Sequence, residues 1–152
     1  YMPGSKAEAA ATVLGVGRAA YEYAFHYAKN RKQGGKYIIE HQAISLMLAK
    51  MIMMLDGSRL QILKAAWLAD NDHPDARVQG LIAKVRASEA AFEVCTLATE
   101  ILGGAGIMYD HPIEKYFRDA LSFLHSDGTN QICSLRVTQA LASNKKSKIY
   151  GF

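Results

Sequence analysis

An all-α fold, an up-and-down four-helix bundle, follows from three observations in the sequence. Ala, Leu, Met and Lys are abundant, and these residues lose little rotamer freedom in a helix. The 3 prolines all fall outside the long periodic segments. Those segments are joined by short breaks, the arrangement that sends successive helices back and forth. At 152 residues, 50% hydrophobic and 21% charged, the chain fits one domain with a single core.

The first helix opens at Ser5, because Ser5-Lys6-Ala7-Glu8 is a capping-box pattern in which Ser5 covers one free amide and Glu8 reaches back to another. It runs to about Arg31, and Val13, Val16, Ala20, Ala24 and Tyr27 recur along it as one apolar stripe. Lys32-Gln33-Gly34-Gly35-Lys36 breaks the pattern. A second helix then runs from about Glu40 to Asp70, with Ile44, Met47, Met51, Met54, Ile62 and Ala66 as its stripe. Its methionines read as plain core with no functional role.

Asn71-Asp72-His73-Pro74 sets a polar cap before a proline tolerated in the first turn, so a third helix starts there and continues to about Leu102. Gly103-Gly104-Ala105-Gly106 ends it. Asp110-His111-Pro112 opens a short fourth helix through about Phe123, and Ser126-Asp127-Gly128-Thr129 breaks the chain before a last helix ending near Ser143. Residues 1–143 thus form the bundle and 144–152 a basic tail. The opening Tyr1-Met2-Pro3-Gly4 reads as a cut edge.

The net charge of +4 is mostly that tail, through Lys145, Lys146 and Lys148. No basic stretch is interleaved with aromatics, so nucleic acid is not expected as a partner. Cys95 and Cys133 have no C-x-x-C spacing and sit among apolar neighbours in expected helices, which points to a reducing compartment. No signal architecture is present at the N-terminus, and charge is expected to interrupt every apolar run before a membrane-spanning length, so a soluble, cytoplasmic protein without a membrane span is expected.

P-loop, G-x-S-x-G and H-E-x-x-H patterns are all missing, and the 5 histidines lack metal-ligand spacing, so no metal site is expected. The Gly103 to Gly106 run follows a helix, not a strand, and reads equally as a helix C-cap or a ligand loop. Asp127, in a loop entering a helix, reads either as a functional carboxylate or as an N-cap.

Six segments carry the reading further. They are Leu14-Gly15-Val16-Gly17-Arg18-Ala19-Ala20, Arg31-Lys32-Gln33-Gly34-Gly35-Lys36, Glu40-His41-Gln42-Ala43-Ile44, Ile101-Leu102-Gly103-Gly104-Ala105-Gly106, Pro112 to Ala120, and Asp127-Gly128-Thr129-Asn130-Gln131-Ile132. In this order and at these separations the chain resembles the C-terminal helical domain of the acyl-CoA dehydrogenase family over nearly its whole length.

The resemblance implies an FAD-dependent enzyme that removes the α-proton of an acyl-CoA thioester with a carboxylate while a flavin takes the β-hydrogen as hydride, since no side chain can accept a hydride. It places the base at Asp127. The cofactor contacts it implies are Gln33, Arg31 on the pyrophosphate, then His41, Gln42, Gly103 and Gly104 along the adenosine part, and Thr129 and Gln131 from the last helix. Lys6, where an arginine often neighbours the substrate, and Gly128 are the implied substrate contacts. Electron-transfer flavoprotein or a similar acceptor would reoxidise the flavin, and a homodimer or homotetramer would share each flavin between two bundles.

Aspartate departs from the family's usual glutamate at this site. Other members set their base in the first helix, where Ser5 stands here. Aspartate at this position is similar to that of nitroalkane oxidases, which gives a second reading as a flavin-dependent oxidase of carbon acids. A third is a non-catalytic self-association bundle. Ser126 stands where an aromatic is common, Gly34 where phenylalanine is, and Glu100 where glutamine is. Arg118 and Asp119 are expected to serve in structural salt bridges.

Overall fold

The computed structural model describes residues 5–143; the expected basic tail at 144–152 and the expected cut edge at 1–4 lie outside the described residues. Among the described residues five α-helices carry the fold: α1 (Ser5–Asn30), α2 (Gln42–Asp70), α3 (Ala76–Leu102), α4 (Ile113–Phe123) and α5 (Asn130–Ser143). The expected all-α bundle is what forms.

The middle of the bundle is α3, which packs on α1, α2, α4 and α5. A helix touched from several sides must be apolar around most of its circumference, and Val78, Leu81, Ala83, Ala87, Ala91, Val94, Cys95 and Ala98 are all buried. The segment Ala76–Ile107 is long and apolar enough to cross a membrane, where the sequence predicts charge interrupting every such run. Its central place among four other helices accounts for that hydropathy without a bilayer.

Small residues let α1 approach α3. Its buried face is Ala10, Val13, Gly17, Ala20, Ala24 and Ala28, while Val16 and Tyr27, expected in the stripe, lie half-buried at its margin. At Gly17 a Cβ atom would come within 3.1 Å of both Ala91 Cα and Leu55 Cδ2. A Gly17→Val chain should therefore lose about 1–3 kcal/mol through overpacking, read as a lower urea midpoint at unchanged slope.

On α2 the buried face is Leu48, Met51, Leu55, Ser58, Ile62, Ala65 and Leu68. Only Met51 and Ile62 of the expected stripe are fully buried, and Ile44, Met47, Met54 and Ala66 are half-buried. The helix is apolar on more than one side, so periodicity alone did not choose the face. Leu46, Met53, Leu60 and Trp67, spaced seven apart, remain exposed on its outer side with Ile52 and Leu63.

The third helix starts at Ala76, later than the Asn71-to-Pro74 signal suggests, because that signal ends α2. Asp72 takes a left-handed φ of 48°, the His73 amide reaches Leu68 O at 2.9 Å, and the Asp72 amide reaches Ala69 O at 3.2 Å. That is a Schellman ending with aspartate in the position glycine usually holds. Between α1 and α2, where the sequence predicts a plain break, the chain forms a two-stranded hairpin, β1 (Lys32–Gln33) and β2 (Lys36–Tyr37). Gly34 and Gly35 have φ of 62° and 80°, the positive pair that a type I′ turn requires. A 3-10 turn (Ile38–Glu40) joins it to α2, and another (Gly103–Ile107) follows α3.

Candidate active site and cofactor contacts

The loop between α4 and α5 is wound tightly at both ends. The Ser126 amide bonds Ser122 O at 2.9 Å, and the Asn130 amide returns to Leu124 O at 3.0 Å. Between them Asp127 takes φ 53° and Gly128 φ 88°. Aspartate is one of the few side-chain-bearing residues that visit this left-handed conformation singly, yet the region is uncommon even for it, and surrounding contacts hold it here. The α5 cap is Thr129, whose hydroxyl accepts the Ile132 amide at 3.3 Å. The capping duty that the sequence allowed to Asp127 thus falls to Thr129, and among the described residues the Asp127 carboxylate caps no helix.

That carboxylate meets Lys6. The Lys6 ammonium lies 2.7 Å from Asp127 Oδ2, with the lysine side chain 4% and the aspartate side chain 41% exposed. Lys6 also donates to the Asp127 main-chain carbonyl. The carboxylate is gripped from the bundle side and stays reachable from outside. A general base requires this combination of fixed position and access.

Under the loop lies a second ammonium that the sequence reading missed. Lys84, 1% exposed on α3, donates to Gly128 O and to Asn130 Oδ1, each at 2.8 Å. Asn130 Nδ2 donates to Ser88 Oγ at 3.0 Å, and the Ser88 hydroxyl donates to Val85 O at 3.1 Å. Burial pulls the Lys84 ammonium below the usual lysine range; Cys133 opposes that shift, Lys6 adds to it and Asp127 opposes it. A signal was present: Lys84, Ala87, Ser88 and Ala91 share one helical face, so the lysine falls on the core side of an apolar run.

Both cysteines are buried and free. Burial, with Asp119 second, pushes the Cys95 thiol from 9.0 up to about 12. The unfolded thiol ionises first as pH rises, so the unfolded state binds fewer protons across that window. The stability this group contributes is complete below pH 9.0 and is lost as pH climbs toward about 12. Urea unfolding at about pH 8 and about pH 10.5 should show the fall, and Cys95→Ala should flatten it.

The other implied cofactor residues lie elsewhere. Gly17 against Ala91, and Lys6 and Lys84 meeting at one loop, make α1 and α3 run parallel. Arg31, Gln33, His41 and Gln42 follow α1, and Gly103 and Gly104 follow α3, all at the bundle end opposite Asp127. The length of α1 alone separates the two ends by about 36 Å. Thr129 and Gln131 stay with Lys6, Asp127 and Gly128.

At the far end His41 Nε2 donates to Gln33 O at 3.0 Å, tying the hairpin to the start of α2. A Cβ on Gly34 would meet the His41 ring at 3.4 Å. Gln33, Gln42, Gly103 and Gly104 are exposed, as is Arg31, whose side chain makes no ion pair among the described residues. His111 rests edge-on against Tyr23 and Tyr27, with its Nδ1 2.7 Å from the Tyr23 hydroxyl, and anchors the start of α4. Arg118 and Asp119 do serve in salt bridges, along α4 with Glu114 and Lys115 one turn away.

The bundle thus presents a gripped, reachable carboxylate in the loop before α5 and a group of exposed residues at its far end. Residues 4–142 match the family described as "Acyl-CoA dehydrogenase, C-terminal domain", and the chain belongs to that family as its C-terminal domain. It is 38% identical over 140 residues to the probable acyl-CoA dehydrogenase YngJ of Bacillus subtilis, covering 92% of this chain and 37% of that protein. Butyryl-CoA dehydrogenase from Megasphaera elsdenii superposes with a TM-score of 0.89 at 35% identity, over 93% of this chain and 37% of that one. An active-site aspartate-to-asparagine mutant of nitroalkane oxidase, crystallised with 1-nitrooctane, superposes at 0.87 with 25% identity, over 93% and 34% of the two chains. The chain therefore spans little more than a third of the proteins it resembles.

Proposed function

We propose that the parent protein is an FAD-dependent acyl-CoA dehydrogenase in which the Asp127 carboxylate removes the α-proton of an acyl-CoA thioester. The observation that carries this reading is a carboxylate held at a left-handed φ, 2.7 Å from a buried lysine, and still 41% exposed. Desolvation by bound substrate strengthens such a base toward a weakly acidic C–H. Lys6 keeps the carboxylate aimed outward, and Gly128 leaves room beside it.

The residues at the far end suit a dinucleotide. Arg31 offers a guanidinium fork for pyrophosphate oxygens, while Gln33, His41, Gln42, Gly103 and Gly104 line the adenosine part; Thr129 and Gln131 approach from α5. When bound, the flavin supplies the hydride acceptor that no side chain provides. The span of about 36 Å between Arg31 and Asp127 favours the arrangement in which Arg31 and its neighbours serve the flavin of a second bundle.

Self-association accounts for the outer side of α2. Leu46, Met53, Leu60 and Trp67 at seven-residue intervals make the seam of a helix–helix contact, too apolar to face water alone. The full-length parent should be a dimer or tetramer by light scattering, and Met53→Glu with Leu60→Glu should halve its mass or more; an unchanged mass would exclude this face. Electron-transfer flavoprotein or a similar acceptor is the proposed electron partner. A reducing, cytoplasmic location is proposed from the two free, buried thiols.

Anaerobic mixing of the full-length parent with a panel of acyl-CoAs tests the function. Loss of flavin absorbance with an acyl-CoA, together with enoyl-CoA formation, is the expected result; no reduction by any of them overturns it. The aspartate and the likeness to nitroalkane oxidase support a second reading, oxidation of nitroalkanes or similar carbon acids. Reduction by a nitroalkane followed by fast reoxidation in oxygen would select it.

A further inference from the structure

The geometry points to Lys84 as a positioning residue for Asp127, an inference that rests on the reading of Asp127 as the base. Lys84 is 1% exposed and cannot meet substrate or cofactor. A buried ammonium is costly unless its donors find acceptors, and both acceptors here belong to the segment just after Asp127: Gly128 O and Asn130 Oδ1, each at 2.8 Å. The Cys133 thiol adds a weak third contact to Gly128 O at 3.6 Å. Ser88 fixes the Asn130 amide from the same helix as Lys84, at 3.0 Å.

The positive φ values of Asp127 and Gly128 make these contacts matter. An aspartate visits that conformation but does not favour it over the right-handed one. Here two successive carbonyls, those of Asp127 and Gly128, are each held by a buried ammonium, from Lys6 on α1 and Lys84 on α3. Lys6 touches the carboxylate as well. Lys84 touches only the segment beyond it, at Gly128 O and the Asn130 side chain, and acts by holding the loop where the carboxylate is aimed. The carboxylate of an aspartate is one methylene closer to its backbone than that of a glutamate, so its aim depends directly on the backbone.

The test uses the flavin-loaded full-length parent with butyryl-CoA, or whichever acyl-CoA of the panel reduces the unaltered protein. Lys84→Met should lower the limiting rate of flavin reduction about a hundredfold, the cost of a displacement of about 1 Å, and leave flavin content and apparent Kd nearly unchanged. Amide hydrogen exchange should accelerate in the peptide spanning residues 124–132. The double variant Lys84→Met with Asn130→Leu removes the ammonium and its side-chain acceptor together, which preserves the fold, and should show the same rate loss.

Either variant reducing its flavin at the unaltered rate, or loop exchange unchanged, overturns the proposal. So does a variant that loses flavin or stability while its remaining loaded fraction reacts normally, the mark of a merely structural lysine. Asp127→Asn separates the two readings. If that variant is slow and the double variant is fast, only the positioning role falls; if Asp127→Asn is fast, the base reading falls and takes this proposal with it.

Discussion

Replacing Asp127 with asparagine in the full-length parent is expected to lower the limiting rate of flavin reduction by an acyl-CoA about 10²–10⁴-fold, the usual contribution of a positioned general base. The amide keeps the shape and a hydrogen-bond acceptor for Lys6 but cannot take a proton at the reaction pH. Asp127→Ala removes both the base and the partner of Lys6, leaving that buried ammonium with fewer acceptors. If Asp127 is the base, the two variants should be slow to a similar degree. An active Asp127→Asn beside an inactive Asp127→Ala would mean that the side chain serves the loop and not the chemistry. Single-turnover reduction reads the step directly, and unchanged flavin content would show that the site is otherwise intact.

The second large effect is on stability. Met51 is 0% exposed in the middle of α2 and Met53, two residues on, is 66% exposed. Met51→Ala should cost this chain about 2–5 kcal/mol through lost transfer energy and the cavity left behind, whereas Met53→Ala, measured at a dilution where the chain is monomeric, should stay within about 0.5 kcal/mol. Urea unfolding of the two variants gives the comparison. Equal losses would mean that α2 is turned differently about its axis.

Those two methionines show what periodicity reveals and where it stops. The helix ends were legible to within a few residues wherever local chemistry sets them. Examples are the glycines after Leu102 and the end of α4 at Phe123. The buried side of α2 was not legible, because Met47, Met51, Met53 and Met54 are alike in hydropathy and the helix is apolar around much of its girth. At Asn71-Asp72-His73-Pro74 the residue types suit either a helix start or a helix end. The Asp72 left-handed conformation and the bond from His73 back to Leu68 make it an end. The hairpin signal, two adjacent glycines between short polar runs, was readable but weak beside two long helices.

For the candidate site the residue pattern was enough to identify the family and to point to Asp127 and the implied ligands as candidates, because each lies in a run of neighbours in the chain. Contacts between residues far apart in the chain needed the fold. Lys6 reaches Asp127 across 121 positions, and Lys84 reaches Gly128 across 44. A lysine in an apolar run signals that it needs a partner and cannot say which one. Likewise the sequence by itself determined that this chain is a helical bundle of one family with one candidate base, since hydrophobic period and motif order are local properties. The tertiary structure alone decided that Thr129 and not Asp127 caps α5, that two buried ammoniums grip the loop from different helices, and that the implied cofactor contacts split between opposite ends of the bundle. Each of these depends on where distant segments meet, which is set by packing.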